Sequence, residues 1–186
     1  MQNGSLFNPS WSPDGRYLYY TNLGSIDGCF YYSNGTDLYR LDLSDGTTVK
    51  VLLPNKTLNL ALSPDESAVA YTRANELSIL KTDSIGDEQR VVFSEDSNVQ
   101  AGEKFWWEDG KTVVFPVVYD LCLPDEAQGI VRVDTEDMVA TTIVERNSDF
   151  FFRDWPNRTQ SEIRLLDREG KTWWLEIYSG ELAQEE

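Results

Sequence analysis

Three acids occupy matching places in this 186-residue chain: Asp14 in SPDG, Asp65 in SPDE and Asp109 in WEDG, 51 and 44 residues apart. Carboxylates are the abundant reactive groups, with 32 acidic residues against 16 basic ones and no histidine, for a net charge of −16. Lack of histidine removes Ser-His and Cys-His nucleophiles, the commonest general base and the commonest metal ligand. Two cysteines, Cys29 and Cys122, cannot supply a structural zinc site without histidine. Paired carboxylates suit glycoside hydrolysis, but no pair is singled out among so many acids. DLSDG, ending at Gly46, lacks the full ligand spacing of a calcium loop. An acid repeated at the same place in successive turns is first a turn residue, because Asp accepts hydrogen bonds from nearby backbone amides. Asp14, Asp65 and Asp109 are therefore read as structural, and no catalytic residue, metal site or cofactor is assigned.

Recognition chemistry is better represented. Phe30, Tyr31 and Tyr32 lie in LGSIDGCFYYSNGT, Asp120 and Asp125 in DLCLPDEAQG, and Trp155 in DWPNRTQS. These six are the candidate binding residues, since loops on a rigid scaffold concentrate binding groups. Packing of the same aromatics onto the scaffold is the competing reading. Cys29 and Cys122 fall in the first two of these segments. A disulfide between them and two unpaired thiols both remain open, because the sequence does not give the separation a bridge needs. A charge of −16 disfavours nucleic acid and anionic membranes, which are bound by neutralising phosphates. No apolar run approaches a membrane span, and MQNGSLFNPS has neither the basic start nor the apolar core of a signal peptide.

The elements that position these residues follow from repetition. WSPDGRYLYY begins at Trp11, LSPDESAVAY at Leu62 and WWEDGKTVVF at Trp106; each is an apolar lead, an acidic turn and an alternating strand. DLYRLDLSDGTTVKVL, ELSILKTDSIGDEQRVVF and GIVRVDTEDMVATTIV follow in turn as strand, polar turn, strand. Four short strands in about 45 residues is the period and content of a propeller blade. Gly15 and Gly110 supply the positive φ such turns need, while Glu66 in the second copy predicts a turn of another type. The blades are expected at about 5–54, 57–95, 98–146 and 148–182, in one propeller domain spanning 1–186. The last is expected to be one strand short and completed by GSLF from the N-terminus. The three long loops are expected between second and third strands, on one face of the disc.

NPSWSPDGRYLYYTN followed by DLYRLDLSDGT resembles the WD-repeat-like propeller unit of the TolB type. The match runs through Pro9, Trp11, Ser12, Pro13, Asp14, Gly15, Leu38, Tyr39 and Asp42 in the first copy. Ser63, Pro64 and Asp65 continue it in the second, and Trp106, Asp109 and Gly110 in the third. The resemblance implies an all-β propeller of about four blades, each a four-stranded antiparallel meander, as a closed small ring or as part of a larger propeller. The role expected of the chain is non-catalytic binding or scaffolding, with a protein or peptide partner, and the resemblance implies an extracytoplasmic location. The alternatives are a propeller module of a larger, prolyl-oligopeptidase-like hydrolase and a carbohydrate-binding or carbohydrate-active propeller. An incomplete ring would make a homo-oligomer.

Overall fold

The structure, a computed structural model, describes residues 6–12, 14–22, 25–26, 33–34, 38–52, 58–73, 75–82, 87–96, 99–102, 105–107, 109–119, 127–152 and 161–185. Among them every regular element is a β-strand, as expected from short alternating runs bounded by turn residues. The first sheet contains β1 (Leu6–Trp11), β2 (Tyr17–Asn22), β5 (Leu38–Asp42) and β6 (Thr48–Leu52); a small hairpin, β3 (Ser25–Ile26) with β4 (Ser33–Asn34), lies between β2 and β5. The second comprises β7 (Leu58–Leu62), β8 (Ala68–Arg73), β9 (Glu76–Lys81) and β10 (Glu88–Val92). The third comprises β11 (Gln100–Ala101) and β12 (Phe105–Trp106), both on β13 (Thr112–Tyr119), then β14 (Ala127–Asp134) and β15 (Val139–Asn147). The fourth comprises β16 (Phe150–Phe152), β17 (Glu162–Asp167), β18 (Thr172–Glu176) and β19 (Leu182–Gln184). Each is an antiparallel meander in chain order, the blade unit of a propeller.

One backbone hydrogen bond recurs in all four sheets and defines equivalent positions. The residue after the third strand donates its amide to the carbonyl of the residue before the second strand. The pairs are Leu43 to Arg16 at 2.9 Å, Thr82 to Ser67 at 2.9 Å, Thr135 to Lys111 at 2.8 Å and Ile177 to Ser161 at 2.7 Å. It ties the turn between first and second strands to the turn between third and fourth, so both leave each sheet at the same end.

Sheets pack face to face in chain order. Tyr19, Leu38 and Val51 of the first meet Val69, Tyr71 and Leu80 of the second. Leu77 and Ile79 meet Val113, Phe115 and Val131 of the third, where Phe93 packs edge-on against Phe115 at 5.1 Å. Val114, Ile130 and Val144 meet Ile163, Leu165 and Leu175 of the fourth. Among the described residues no hydrophobic cluster joins the fourth sheet to the first.

The fold departs from the sequence expectations in three places. The fourth sheet is complete in itself, because Leu182–Gln184 pairs with β18, and the N-terminal strand pairs with β2 of its own sheet. Glu66 makes the same turn as the glycines: its φ is +61° against +69° for Gly15, and its amide donates to Ser63 O at 2.9 Å as that of Gly15 donates to Ser12 O at 2.8 Å. The segment carrying Trp155 joins the first and second strands of its sheet rather than the second and third. In the third sheet the first strand is broken at Gly102, where a Cβ would lie 2.7 Å from Pro116 Cγ.

Candidate functional site

Successive connections of a meander leave at alternate ends. Connections between second and third strands therefore share one end, opposite the acidic turns. They span 23–37 in the first sheet, 74–75 in the second, 120–126 in the third and 168–171 in the fourth. Phe30, Tyr31, Tyr32 and Cys29 fall between the paired β3 and β4, and Asp120, Cys122 and Asp125 fall between β13 and β14; all lie outside the described residues. Trp155 also lies outside them, and its segment belongs to the opposite end. Of the three candidate segments, those of the first and third sheets belong to the loop end and that of the fourth does not.

Described residues at that end frame the third-sheet connection. The Arg146 guanidinium lies over the Tyr119 ring, 5.1 Å from its centroid. Burial, followed by the Glu145 charge, raises the Tyr119 hydroxyl above its ordinary value. Gly129 lets β14 and β15 close up here, since a Cβ would stand 2.9 Å from Val144 O.

At the turn end the repeated acids hold their own turns. Asp14 Oδ1 accepts from Ser12 Oγ at 2.7 Å and from the Arg16 amide at 2.9 Å. Asp65 Oδ1 accepts from Ser63 Oγ at 2.7 Å and from the Ser67 amide at 3.1 Å. Asp109 accepts from the amides of Lys111 and Thr112 at 2.8 and 2.9 Å. Donors favour the charged form. The Arg16 amide and the Ser12 hydroxyl lower Asp14, and the Ser63 hydroxyl lowers Asp65. Burial pushes Asp109 up, but the amides of Lys111 and Thr112 and the Thr112 hydroxyl outweigh it. Asp42 is brought down to about 2 by the Ser44 hydroxyl and Arg16, and Arg16 Nη2 sits 2.9 Å from its Oδ2. These carboxylates are committed to structure, and among the described residues no group of three or more acids or cysteines is placed to hold a metal.

Sequence reasoning missed a cleft of about 360 Å³ between the second and third sheets at this end. Ala68, Ile79 and Trp106 give it an apolar lining, and Ser67, Lys81, Asp87, Gln89 and Thr135 give it polar groups. Lys81 Nζ lies 3.9 Å from Asp87 Oδ2, with both side chains 61% exposed, a weak and easily opened pair. The lining comes from two sheets, and no local motif announces it. The cleft thus sets one apolar wall beside one opposed charge pair.

No family model matches this chain, and no curated protein matches it in sequence. Solved structures do. Dipeptidyl peptidase 4 of Porphyromonas gingivalis is similar at a TM-score of 0.71 and 14% identity, over 97% of this chain and 32% of that one. A putative TolB of Agrobacterium tumefaciens is similar at 0.63 and 19%, over 97% of this chain and 61% of its own. The β-propeller domain of the Trilobed protease of Pyrococcus furiosus is similar at 0.59 and 15%, over 96% of this chain and 57% of its own. This chain therefore spans less than two thirds of each of these relatives in structure. Four blade sheets in chain order and these likenesses together give the chain a TolB-type β-propeller repeat fold.

Proposed function

We propose that this chain is a non-catalytic propeller module that binds a protein or peptide segment at its loop end. The observation that carries the reading is the inequality of the connections there: 23–37 and 120–126 are long, whereas 74–75 and 168–171 are tight. The repeated features, including Asp14, Asp65 and Asp109, are used within the turns. What varies between sheets is the pair of long connections that carry Phe30, Tyr31, Tyr32, Asp120 and Asp125. Aromatic and acidic loops on a rigid scaffold suit a basic or amphipathic peptide. The charge of −16 would hasten its encounter. The whole chain acts as one such unit in this reading, placed outside the cytoplasm. No helix is long and apolar enough to cross a membrane among the described residues.

The test is selection of a displayed random-peptide library on the purified chain. Enriched peptides are expected to lose binding at least tenfold to a Phe30→Ser, Tyr31→Ser, Tyr32→Ser triple variant. An empty selection, or binding indifferent to those three changes, would overturn the proposal. A second reading, that the chain is the propeller module of a larger hydrolase, draws support from the peptidase among its structural relatives, of which it spans 32%. A parent transcript encoding a hydrolase domain in frame would favour it.

A further inference from the structure

We propose that the cleft between the second and third sheets receives an arginine side chain of a partner polypeptide, at the end opposite the long connections. The sheet leading into each junction has equivalent positions there. Three residues before the linking residues Leu43, Thr82 and Thr135 stand Arg40, Ile79 and Arg132. They are opposite Tyr19, Ala70 and Val114, and each pair lies on the face towards the following sheet. The next residue on that face, one before the linking residue, is Asp42, Lys81 or Asp134, opposite Tyr17, Ala68 or Thr112.

The junctions on either side have an arginine of the chain's own at this place. At the third, Arg132 Nη1 donates to Ile177 O at 3.0 Å and to Tyr178 O at 3.2 Å, both of the following sheet, and the guanidinium lies 5.3 Å from the centre of the Tyr178 ring. At the first, Arg40 lies over the Tyr17 ring, 4.7 Å from its centroid, and Tyr17 packs on the apolar core of that junction. At the second both side chains are short, Ile79 and Ala68, and the cleft of about 360 Å³ opens beside them. That volume is within the range of small-ligand sites. Thr135 lines it and is the equivalent of Ile177, so its carbonyl stands at the position that accepts from Arg132 one junction on. Space, acceptor and apolar wall are those of a guanidinium site whose arginine has been replaced by isoleucine.

Charge favours the same occupant. Asp87 is a carboxylate of the cleft, and its pairing with Lys81 Nζ at 3.9 Å is longer than a hydrogen bond and exposed. A guanidinium can meet that carboxylate through two parallel N–H bonds, a closer contact than the lone ammonium makes, and displace it. It keeps further donors for Thr135 O, which lines the same cleft. Lysine offers no such fork. The methylene stem of the incoming arginine would lie along Ala68 and Ile79, as long cationic side chains cover apolar surface while their heads meet polar groups. The net charge of −16 draws a cationic partner and repels an acidic one.

The test is an NMR titration of the isotope-labelled 186-residue chain with a capped arginine, N-acetyl-arginine methylamide. Saturable shifts are expected at the amides of Lys81, Gln89 and Thr135, with the capped lysine binding about tenfold more weakly. Ile79→Arg places in the cleft the residue that both neighbouring junctions have. It is expected to weaken binding of the capped arginine about tenfold or more, with β circular dichroism unchanged. Asp87→Asn is expected to weaken it about fivefold. Absence of saturable shifts, equal binding of the capped lysine, or binding that survives Ile79→Arg overturns the proposal. Shifts confined to Tyr119 and Arg146 overturn it too, since the arginine would then sit at the loop end. Free arginine binding more tightly than the capped form would make the ligand a small molecule rather than a polypeptide, and also overturns it. If Ile79→Arg loses its strand signal, Asp87→Asn, at an exposed position, carries the comparison, and an unchanged affinity there overturns the proposal.

Discussion

At the scale of single residues, Glu66 is where sequence and backbone disagree. The turn closes by the same bonds as those of Gly15 and Gly110, whose φ values are +69° and +67°, yet Glu66 adopts +61° with a Cβ. A non-glycine in that region costs about 1 kcal/mol or more. Its Oε1 is also buried without a hydrogen-bond partner. Burial, then the charges of Asp14 and Asp65, raise its carboxyl above the ordinary 4.5. Glu66→Gly is therefore expected to raise stability by about 1 kcal/mol, read as a higher urea midpoint at unchanged slope. Glu66→Gln separates charge from backbone. A carboxyl raised in the folded state is unpenalised below 4.5, where both states are protonated, and destabilises progressively as pH rises through the folded value. The Gln variant should thus gain on the parent at pH 7 and match it at pH 3. An equal gain at both would mean that the buried charge is not the cause.

At the scale of elements, the sheets are joined mostly by apolar faces, but Trp106 adds a directed bond across the second junction. Trp106→Phe keeps most of the buried ring and removes that donor. The loss expected is about 1–2 kcal/mol, one hydrogen bond plus a carbonyl left short of a partner. An unchanged urea midpoint would show that packing alone aligns these two sheets. Strands such as Tyr17–Asn22 and Glu76–Lys81 were legible because each is a short run rich in apolar residues and bounded by turn residues. Leu182–Gln184 was not, since LAQ is three residues with one large apolar group and owes its place to pairing with β18. The Glu66 turn was misread because tertiary bonds override local φ preference there, the Thr82 hydroxyl donating to Glu66 O at 2.7 Å. Of the candidate site, the loops were legible as insertions into a repeat, whereas the cleft beside Trp106 exists only once two sheets meet.

At the scale of the molecule, each sheet packs on its sequence neighbours, so stability is close to a sum of sheets and junctions. Among the described residues the second and third sheets have two junctions each, and the first and fourth have one. Sheets with two junctions bury both faces, as the full burial of Val113, Val114 and Phe115 shows for successive residues of one strand. Hydrogen exchange should therefore rank the amides by sheet. Those of β13 and β14 are expected to exchange slowest, at rates set by global unfolding, and those of β2 and β5 at least tenfold faster through opening of the first sheet alone. Uniform protection would show instead that the four sheets unfold as one unit.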